Sequence, residues 1–368
     1  MLKLLTPGPV EVPERVLRKC CQKVISHRSQ DFRELLTNIV EKLKKLVKLG
    51  ENGAIAVLSG SGTTAVDAMI WSFVKPRDRV LAIVNGDFGE RAANSAIRRG
   101  AQVETIYARE GNVVDVETII DKLETKNYDF VIIVQNETSM AVRYTFDELK
   151  RIGEAAQANN ALILVDAVSG VAGDKVWFTN GIAAIASCTH KAIAAPPGAA
   201  FVAISSEGLE LLKKRYSDNV PPILDLKRYI DKYDTTHETP FTPSIPILYA
   251  LEEALKIIVD EIGVERYIEI HAQRKHYFYS KIKQIDKIKP VPQNMKIASN
   301  TLIALWVENA TLIQQTLRKA GYLIATGIKE YKDKMIRIGL MGDINLKDLD
   351  AVIQVLEQIF EQKHKNIN

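Results

Sequence analysis

The chain has 368 residues, of which 46% are hydrophobic and 26% are charged, and its formal net charge is +4. This composition is that of a globular protein with a large core, and its dispersed charges argue against nucleic acid or a membrane surface as partner. The three cysteines, Cys20, Cys21 and Cys188, give neither a disulfide framework nor a metal-type spacing. With no signal-peptide pattern and no apolar run of about 18 residues, we expect a cytoplasmic protein.

From residue 53 to about 204, short apolar runs alternate with amphipathic helical stretches. Such alternation is typical of an α/β fold in which helices cover both faces of a mostly parallel sheet. The seven runs that we predict as strands are AIAVLS, RVLAIV, QVETIY, DFVIIVQ, ALILVD, AIASC and AFVAIS. After the first of them, Val66, Met69, Ile70 and Phe73 recur at the spacing of one buried helical face. We therefore expect a large domain built on a seven-stranded sheet.

Beyond residue 205 the pattern becomes mainly helical. A proline-punctuated segment, TPFTPSIP, precedes a helix predicted from Leu248 to Val259, which we expect to bridge two domains. A helix near 263–284, the strands TLIALWV and MIRIGL, a final helix opened by Asn345 and a fraying polar tail over 361–368 follow. The predicted organisation is a large domain over 1–258, with an N-terminal arm at 1–15, and a smaller α+β domain over 259–368.

Two polar residues follow buried strands of the predicted sheet. Asp166 ends ALILVD, and Lys191 follows AIASC after Thr189 and His190. Open α/β sheets bind ligands at the carboxyl ends of their strands. Taken singly, Asp166 is also compatible with a helix cap or turn residue, and Lys191 alone is more typical of a surface or structural lysine. Their pairing favours a shared site.

This pair of residues has a specific chemistry. A desolvated lysine amine has a lowered pKa and forms a Schiff base with an aldehyde cofactor. An aspartate beside the pyridine nitrogen of that cofactor keeps the nitrogen protonated, so the ring accepts electrons when a proton leaves the substrate. Asp166 and Lys191 therefore indicate a pyridoxal-type cofactor.

A third element, LSGSGTTAVDAM, joins the first predicted strand to its helix. The residues from Ser59 to Thr64 are placed to expose backbone N–H groups at the positive end of that helix, as a phosphate cradle does. A glycine-rich turn alone is weak evidence, and the absence of a following Lys-Ser/Thr pair excludes a P-loop nucleotide site. Because this segment precedes Asp166 and Lys191 in the sequence, we favour the interpretation that it binds the phosphate of the same cofactor.

These residues, together with further motifs, resemble the class V aminotransferases, and within them the alanine–glyoxylate, serine–pyruvate and serine–glyoxylate group. The matching motifs are TPGPVEVPERVL, SHRSQDF, SGSGTTAVDA, NGDFGERA, NETS, VDAVSG, THKAIAAPPG, TPFTPSI and RIGLMG. The resemblance implies the fold of type I pyridoxal-phosphate (PLP) enzymes and a homodimer with a shared active site. It also implies ping-pong transfer of an amino group from serine or alanine to a small 2-keto acid, glyoxylate or pyruvate.

The same resemblance assigns roles around the cofactor. Lys191 becomes the Schiff-base lysine that also moves the substrate proton, and Asp166 becomes the partner of the pyridinium nitrogen. The other implied cofactor contacts are Ser61, Gly62, Thr63 and His190 at the phosphate, Phe88 and Val168 on the two ring faces, Thr138 beside the ring oxygen, and Thr239 at the phosphate of the neighbouring subunit's cofactor. The resemblance implies no metal.

The resemblance assigns substrate binding to residues near the two ends of the chain. Arg337 in MIRIGL matches the arginine that binds the substrate carboxylate in this group, and the planar two-donor fork of arginine suits that task. Gly8 in TPGPV matches a position on the substrate side. Two departures from the family pattern, Met140-Ala141 after the NETS motif and Thr236 in place of a tyrosine, indicate a shifted substrate preference.

Several other functions compete with this interpretation. Cysteine desulfuration requires a mobile cysteine in the second half of the chain, and none follows Cys188. A lyase or aldolase uses the same electron sink and stays open as an alternative, as does a non-catalytic PLP-binding protein. A nicotinamide dehydrogenase lacks support, because no strand is followed by G-x-G-x-x-G with an acidic residue about 20 positions later. His27 and Arg28 resemble a pair that binds substrate phosphate in phosphoserine aminotransferases, and we favour a structural role for them.

Overall fold

The computed structural model describes residues 2–216, 219–285 and 288–365. A short strand β1 (Lys3–Leu4) and the helices α1 (Glu14–Lys19) and α2 (Gln30–Leu46) come first. All seven predicted strands follow, together with one short hairpin; helices separate the first five of these strands, whereas the last three follow one another without a helix between them. These elements are β2 (Ala54–Gly60), α3 (Gly62–Phe73), β3 (Arg79–Val84), α4 (Asp87–Arg98), β4 (Gln102–Tyr107), α5 (Val116–Thr125), β5 (Phe130–Val134), β6 (Asn136–Glu137), β7 (Val142–Arg143), α6 (Phe146–Ala158), β8 (Leu162–Asp166), β9 (Ile182–Cys188), β10 (Gly198–Ile204) and α7 (Ser206–Lys214).

The large sheet has the strand order β2-β10-β9-β8-β5-β3-β4. Strand β10 runs antiparallel to both of its neighbours, and the other neighbouring strands run parallel. The predicted α/β fold with a mostly parallel seven-stranded sheet is therefore confirmed. The strands are apolar along their length because both faces are covered. Leu81 and Ile83 belong to one core with α2 and α6, whereas Val80 belongs to a second core with α3.

Three helices and a π-helical turn lead from the large sheet into the C-terminal part. They are α8 (Leu226–Thr236), α9 (Ile245–Leu255), the turn Lys256–Ile262 and α10 (Val264–Ile282). The predicted bridging helix thus begins three residues earlier than Leu248, at Ile245, and changes to π-helical geometry after Leu255. The earlier start is possible because Pro246 lies in the first turn, where its missing N–H costs no helical hydrogen bond.

The C-terminal part contains a four-stranded sheet of order β11-β12-β15-β14. Its elements are β11 (Lys289–Pro290), β12 (Leu302–Trp306), α11 (Ala310–Lys319), β13 (Tyr322–Leu323), β14 (Ala325–Thr326), a 3-10 turn (Lys329–Tyr331), β15 (Met335–Gly339) and α12 (Leu346–Lys365). As predicted, Asn345 opens the last helix, because its Oδ1 accepts from the N–H groups of Lys347 and Asp348. Of the tail predicted to fray, residues 361–365 continue this helix and 366–368 lie outside the described residues.

The N-terminal arm contacts the C-terminal part of the chain. Strand β1 pairs in parallel with β13, and Leu5 is buried in the same core as α12. The division of the chain at residues 258 and 259 stays a prediction. None of the helices that the structure describes is both long and apolar enough to cross a membrane.

Candidate active site

A cavity of about 210 Å³ opens where β8 and β9 end and α3 begins. Residues from distant parts of the sequence meet there. The lining residues that the sequence predicted are Ser61, Gly62, Thr63, Phe88, Thr138, Asp166, Val168, His190 and Lys191. The lining residues that it did not predict are Val66, Asp67, Arg91, Ala92, Val134, Asn136 and Ser169. The proposed cofactor ligands of this chain therefore share one site, with the exception of Thr239.

Lys191 projects from the loop after β9 beneath the N-terminal arm. Its Nζ donates a hydrogen bond to the carbonyl oxygen of Pro7 at 2.6 Å, and burial lowers the pKa of this lysine. Gly8 has a φ of +129°, and a Cβ at that position would lie 2.4 Å from Lys191 Nζ. Gly8 is thus in direct contact with the amine, which only a residue without a side chain permits. Its role toward the substrate stays a prediction.

Asp166 is the last residue of β8 and is 6% exposed. Its Oδ1 accepts a hydrogen bond from the N–H of Val168 at 3.0 Å. Burial raises the pKa of Asp166 to about 7, because a desolvated carboxylate favours its neutral form. A cation bound beside Asp166 in the cavity would lower this pKa again, because it stabilises the carboxylate. A protonated pyridine nitrogen is such a cation, so the carboxylate fits the cofactor.

The opposite end of the cavity suits a phosphate group. Helix α3 begins at Gly62, and the first N–H groups of a helix have no partner within it. A Cβ on Gly62 would lie 2.5 Å from Val168 Cγ1, so a glycine is required for this close approach. His190 Nδ1 is buried without a hydrogen-bond partner among the described residues, and burial lowers the pKa of His190 to about 4. A neutral imidazole with a free ring nitrogen is able to donate to a phosphate oxygen.

Phe88 and Thr138 form the remaining walls. Phe88 lies in the first turn of α4, with the guanidinium of Arg91 4.9 Å from its ring centroid. Thr138 lies between β6 and β7, and its carbonyl oxygen accepts from Arg337 Nη1 at 3.1 Å. Phe88 and Val168 both line the cavity. This is a requirement for two residues that are to contact opposite faces of one planar cofactor.

Arg337 lies on β15 and stands directly behind this wall. Its Nε donates to the carbonyl oxygen of Thr326 at 2.9 Å, so two backbone carbonyls hold the guanidinium in place. The side chain is 9% exposed, and burial lowers its pKa. The positive charge of Arg337 in turn lowers the pKa of Lys191, which places the two groups in one electrostatic environment.

Thr239 is not part of the cavity in this chain. Its hydroxyl donates to the carbonyl oxygen of Phe241 at 2.8 Å, and its own carbonyl oxygen accepts from Arg28 Nη1 at 2.7 Å. Arg28 also binds the neighbouring Glu238 at 2.7 Å. These bonds agree with the structural role that we favoured for Arg28, since they fix the segment that contains Thr239. His27 packs edge-on against Phe32 with ring centroids 6.5 Å apart.

Two of the lining residues that were not predicted, Arg91 and Asn136, could have been inferred from their positions in the sequence motifs. Arg91 follows Phe88 by three positions in NGDFGERA, so both lie on one face of α4. Asn136 opens the NETS motif directly after a buried strand. Its Nδ2 donates to Ser169 Oγ at 2.7 Å and to Thr301 Oγ1 at 2.9 Å. The partners of Asn136 were not predictable, because Thr301 belongs to the C-terminal part of the chain.

The paired Asp166 and Lys191, together with a helix start suited to phosphate, define the site of a PLP-dependent enzyme. The model of the class V aminotransferase family matches residues 10–352, and the chain therefore belongs to that family. The chain is 32% identical over 360 residues to an uncharacterized aminotransferase of Methanocaldococcus jannaschii. The aligned region covers 96% of this chain and 91% of the relative.

Solved structures share the whole architecture. Alanine–glyoxylate aminotransferase from Nostoc sp. has a TM-score of 0.89 and 28% identity, over 97% of this chain and 95% of that chain. Ureidoglycine–glyoxylate aminotransferase from Bacillus subtilis has a TM-score of 0.88 and 26% identity, over 97% and 93%. The expected PLP enzyme fold, the PLP cofactor and the aminotransferase class are thus confirmed.

Proposed function

We propose that this aminotransferase moves an amino group from a small amino acid, serine or alanine, to a small 2-keto acid, glyoxylate or pyruvate. The observation that carries the proposal is the position of Arg337. Its buried guanidinium contacts Thr138 in the cavity wall and acts electrostatically on Lys191. All four compounds have one carboxylate, which a fixed guanidinium binds in the same place in both half-reactions.

Three residues divide the work of the reaction. When bound, PLP supplies an aldehyde for the amine and a ring that accepts electrons. Asp166 holds a proton on the pyridine nitrogen. Lys191 Nζ, whose pKa is lowered by burial, would take the α-proton of the substrate and, as general acid, deliver it to C4′ of the cofactor. Arg337 orients the carboxylate so that this proton faces the lysine, and the first keto acid leaves before the second binds.

The proposed size of the substrates follows from the N-terminal arm. Pro7 binds Lys191 Nζ through its carbonyl oxygen, and there is no room for a Cβ on Gly8 beside the same amine. An arm this close to the reacting nitrogen favours substrates with short side chains. The names of the two solved relatives, which both include glyoxylate, support glyoxylate as acceptor.

We further infer a homodimer in which Thr239 binds the phosphate of the partner's cofactor. The backbone of this residue is held by Arg28, and Glu238 beside it is bound by Arg28, Arg33 and Lys232 at 2.7, 2.8 and 3.1 Å. A segment held this firmly, yet outside its own cavity, supports a role toward a second subunit.

The proposed domains are 1–258, which binds PLP, and 259–368.

The test is the visible absorption spectrum of the PLP-loaded protein, recorded before and after serine or alanine is added. We expect either donor to discharge the band of the lysine-bound cofactor, and glyoxylate or pyruvate to restore it. Lys191→Ala is the control, in which the band is absent from the start. A band that neither donor discharges contradicts the proposed donors. Cleavage of a carbon–carbon bond in place of transfer supports the lyase or aldolase alternative.

A further inference from the structure

A buried glutamate joins two walls of the active site. Glu137 lies in β6, has 0% exposure and stands between the lining residues Asn136 and Thr138. Its Oε2 accepts hydrogen bonds from the N–H groups of Phe88 and Gly89, both at 3.0 Å. Its Oε1 accepts from the N–H and the hydroxyl of Ser139, at 3.0 and 2.6 Å. One oxygen thus binds helix α4, and the other binds the hairpin turn.

Helix α4 depends on this carboxylate for its cap. The residue before the helix is Gly86, which has no side chain to accept from the first N–H groups, and Glu137 supplies the acceptor. A Cβ on Gly86 would lie 2.2 Å from Ser139 Oγ, so the glycine lets the hairpin approach the helix. Ser139 Oγ also accepts from the N–H of Asp87 at 3.1 Å.

We propose that Glu137 is a positioning residue that sets the separation of the Phe88 wall from the Thr138 wall. Because the carbonyl oxygen of Thr138 holds Arg337, the same carboxylate fixes the guanidinium relative to the cofactor. The inference rests on the roles proposed above for Phe88, Thr138 and Arg337. A carboxylate is needed because all four groups that face it are donors.

The substitution Glu137→Gln tests this role. The amide keeps the length of the side chain but turns one –NH₂ group toward donors, which breaks the bonds to either the helix or the hairpin. We expect the Kd of the apoprotein for PLP to rise about tenfold or more. In the loaded enzyme, KM for the amino donor is expected to rise about tenfold, with kcat changed less than about threefold.

The matched control is Glu148→Gln. Glu148 caps helix α6 in a similar way, since it accepts from the N–H and the hydroxyl of Thr145, both at 2.8 Å, and it lies outside the cavity lining. This control is expected to lower Tm while leaving the Kd for PLP and KM at wild-type values. If Glu137→Gln behaves in the same way, the carboxylate is only a helix cap and the proposal is overturned.

A second variant covers the case in which Glu137→Gln does not fold. Ser139→Ala removes the hydroxyl that donates to Glu137 and accepts from the N–H of Asp87, and it leaves the three backbone donors to Glu137. We expect the Kd for PLP to rise about threefold, and an unchanged Kd overturns the proposal. The titration needs no substrate. If serine and alanine fail as donors but Glu137→Gln still weakens PLP binding, the proposed substrates are wrong and the role of Glu137 stands.

Discussion

Among the residues that the structure describes, desolvation lowers the pKa of two lysines, Lys191 and Lys275, and only Lys191 belongs to the active site. Lys191 donates to the carbonyl oxygen of Pro7 at 2.6 Å, and Lys275 donates to the carbonyl oxygen of Ala298 at 3.3 Å. Burial lowers the pKa of both, to about 8 in the case of Lys275, which is 3% exposed. Burial and a lowered pKa are therefore common to both sites.

The surroundings of the two lysines differ. Lys275 lies on α10 beside Arg143, whose Nε donates to the same carbonyl oxygen of Ala298 at 3.1 Å and whose Nη1 pairs with Asp174 at 2.6 Å. Lys191 lines a cavity that also contains Asp166 and the start of α3. A perturbed lysine thus indicates function only when space and complementary groups for a ligand accompany it. We expect Lys275 to fix the loop at Ala298, not to react.

Replacing each lysine in turn should separate the reactive residue from the structural one. Lys191→Ala should lower transamination by about a thousandfold or more, because both the covalent attachment and the proton transfer are lost. Lys275→Met keeps the volume and should retain kcat within about threefold. Steady-state rates at saturating PLP provide the measurement. A Lys191→Ala enzyme with near-normal turnover, or an inactive folded Lys275→Met enzyme, contradicts the assignment.

Asp166→Asn should have opposite effects on catalysis and on stability. The variant loses the charge that holds the pyridine proton, so we expect kcat to fall on the order of 10²-fold. In the apoprotein, Asp166 has a pKa of about 7 against 3.8 when unfolded, so its burial costs stability increasingly as the pH rises from about 3.8, and in full above about 7. The apo variant should be more stable than wild type above pH 7, by a margin that disappears as the pH falls toward 3.8.

Denaturation of both apoproteins at several pH values measures this margin. A margin that does not change with pH would show that Asp166 is not a desolvated carboxylate in the empty site. The catalytic loss is measured separately at saturating PLP, so the two effects are independent.

Arg337→Lys tests the proposed binding of the substrate carboxylate. A lysine keeps the charge but has no planar fork to bind Thr326, Thr138 and a carboxylate at once. We expect KM for the amino donor and for the keto acid to rise at least tenfold, with a smaller change in kcat. Steady-state kinetics with each substrate varied in turn provides the test. An unchanged KM would mean that another residue binds the carboxylate.

The last prediction concerns the pH dependence of stability at Lys275. Its pKa of about 8 lies below the unfolded value of 10.5, so the charged form costs stability when the pH is below 8. Relative to Lys275→Met, wild type should gain up to about 3 kcal/mol in unfolding free energy as the pH rises from about 8 to 10.5. Chemical denaturation across this range measures the difference, and a constant difference contradicts the buried charge.

The sequence predicted those parts of the molecule that follow from local pattern. The sheet strands are continuous apolar runs, and Asp166 and Lys191 are polar residues at their ends, so both the fold and the core of the site were accessible. The hairpin β6–β7 was not predicted, because two-residue strands carry no periodic signal. The capping role of Glu137 was missed for a related reason, since its partners Phe88 and Gly89 are distant in sequence.

The assignment of the active site can be tested by locating PLP on the chain. Borohydride reduces the carbon–nitrogen double bond between PLP and its lysine to a stable single bond, and peptide mass spectrometry then locates the modified residue. We predict that the label is found on Lys191 and is absent from Lys275. A label on Lys275, or a loaded protein in which Lys191 stays unmodified, would contradict the assignment of the active site.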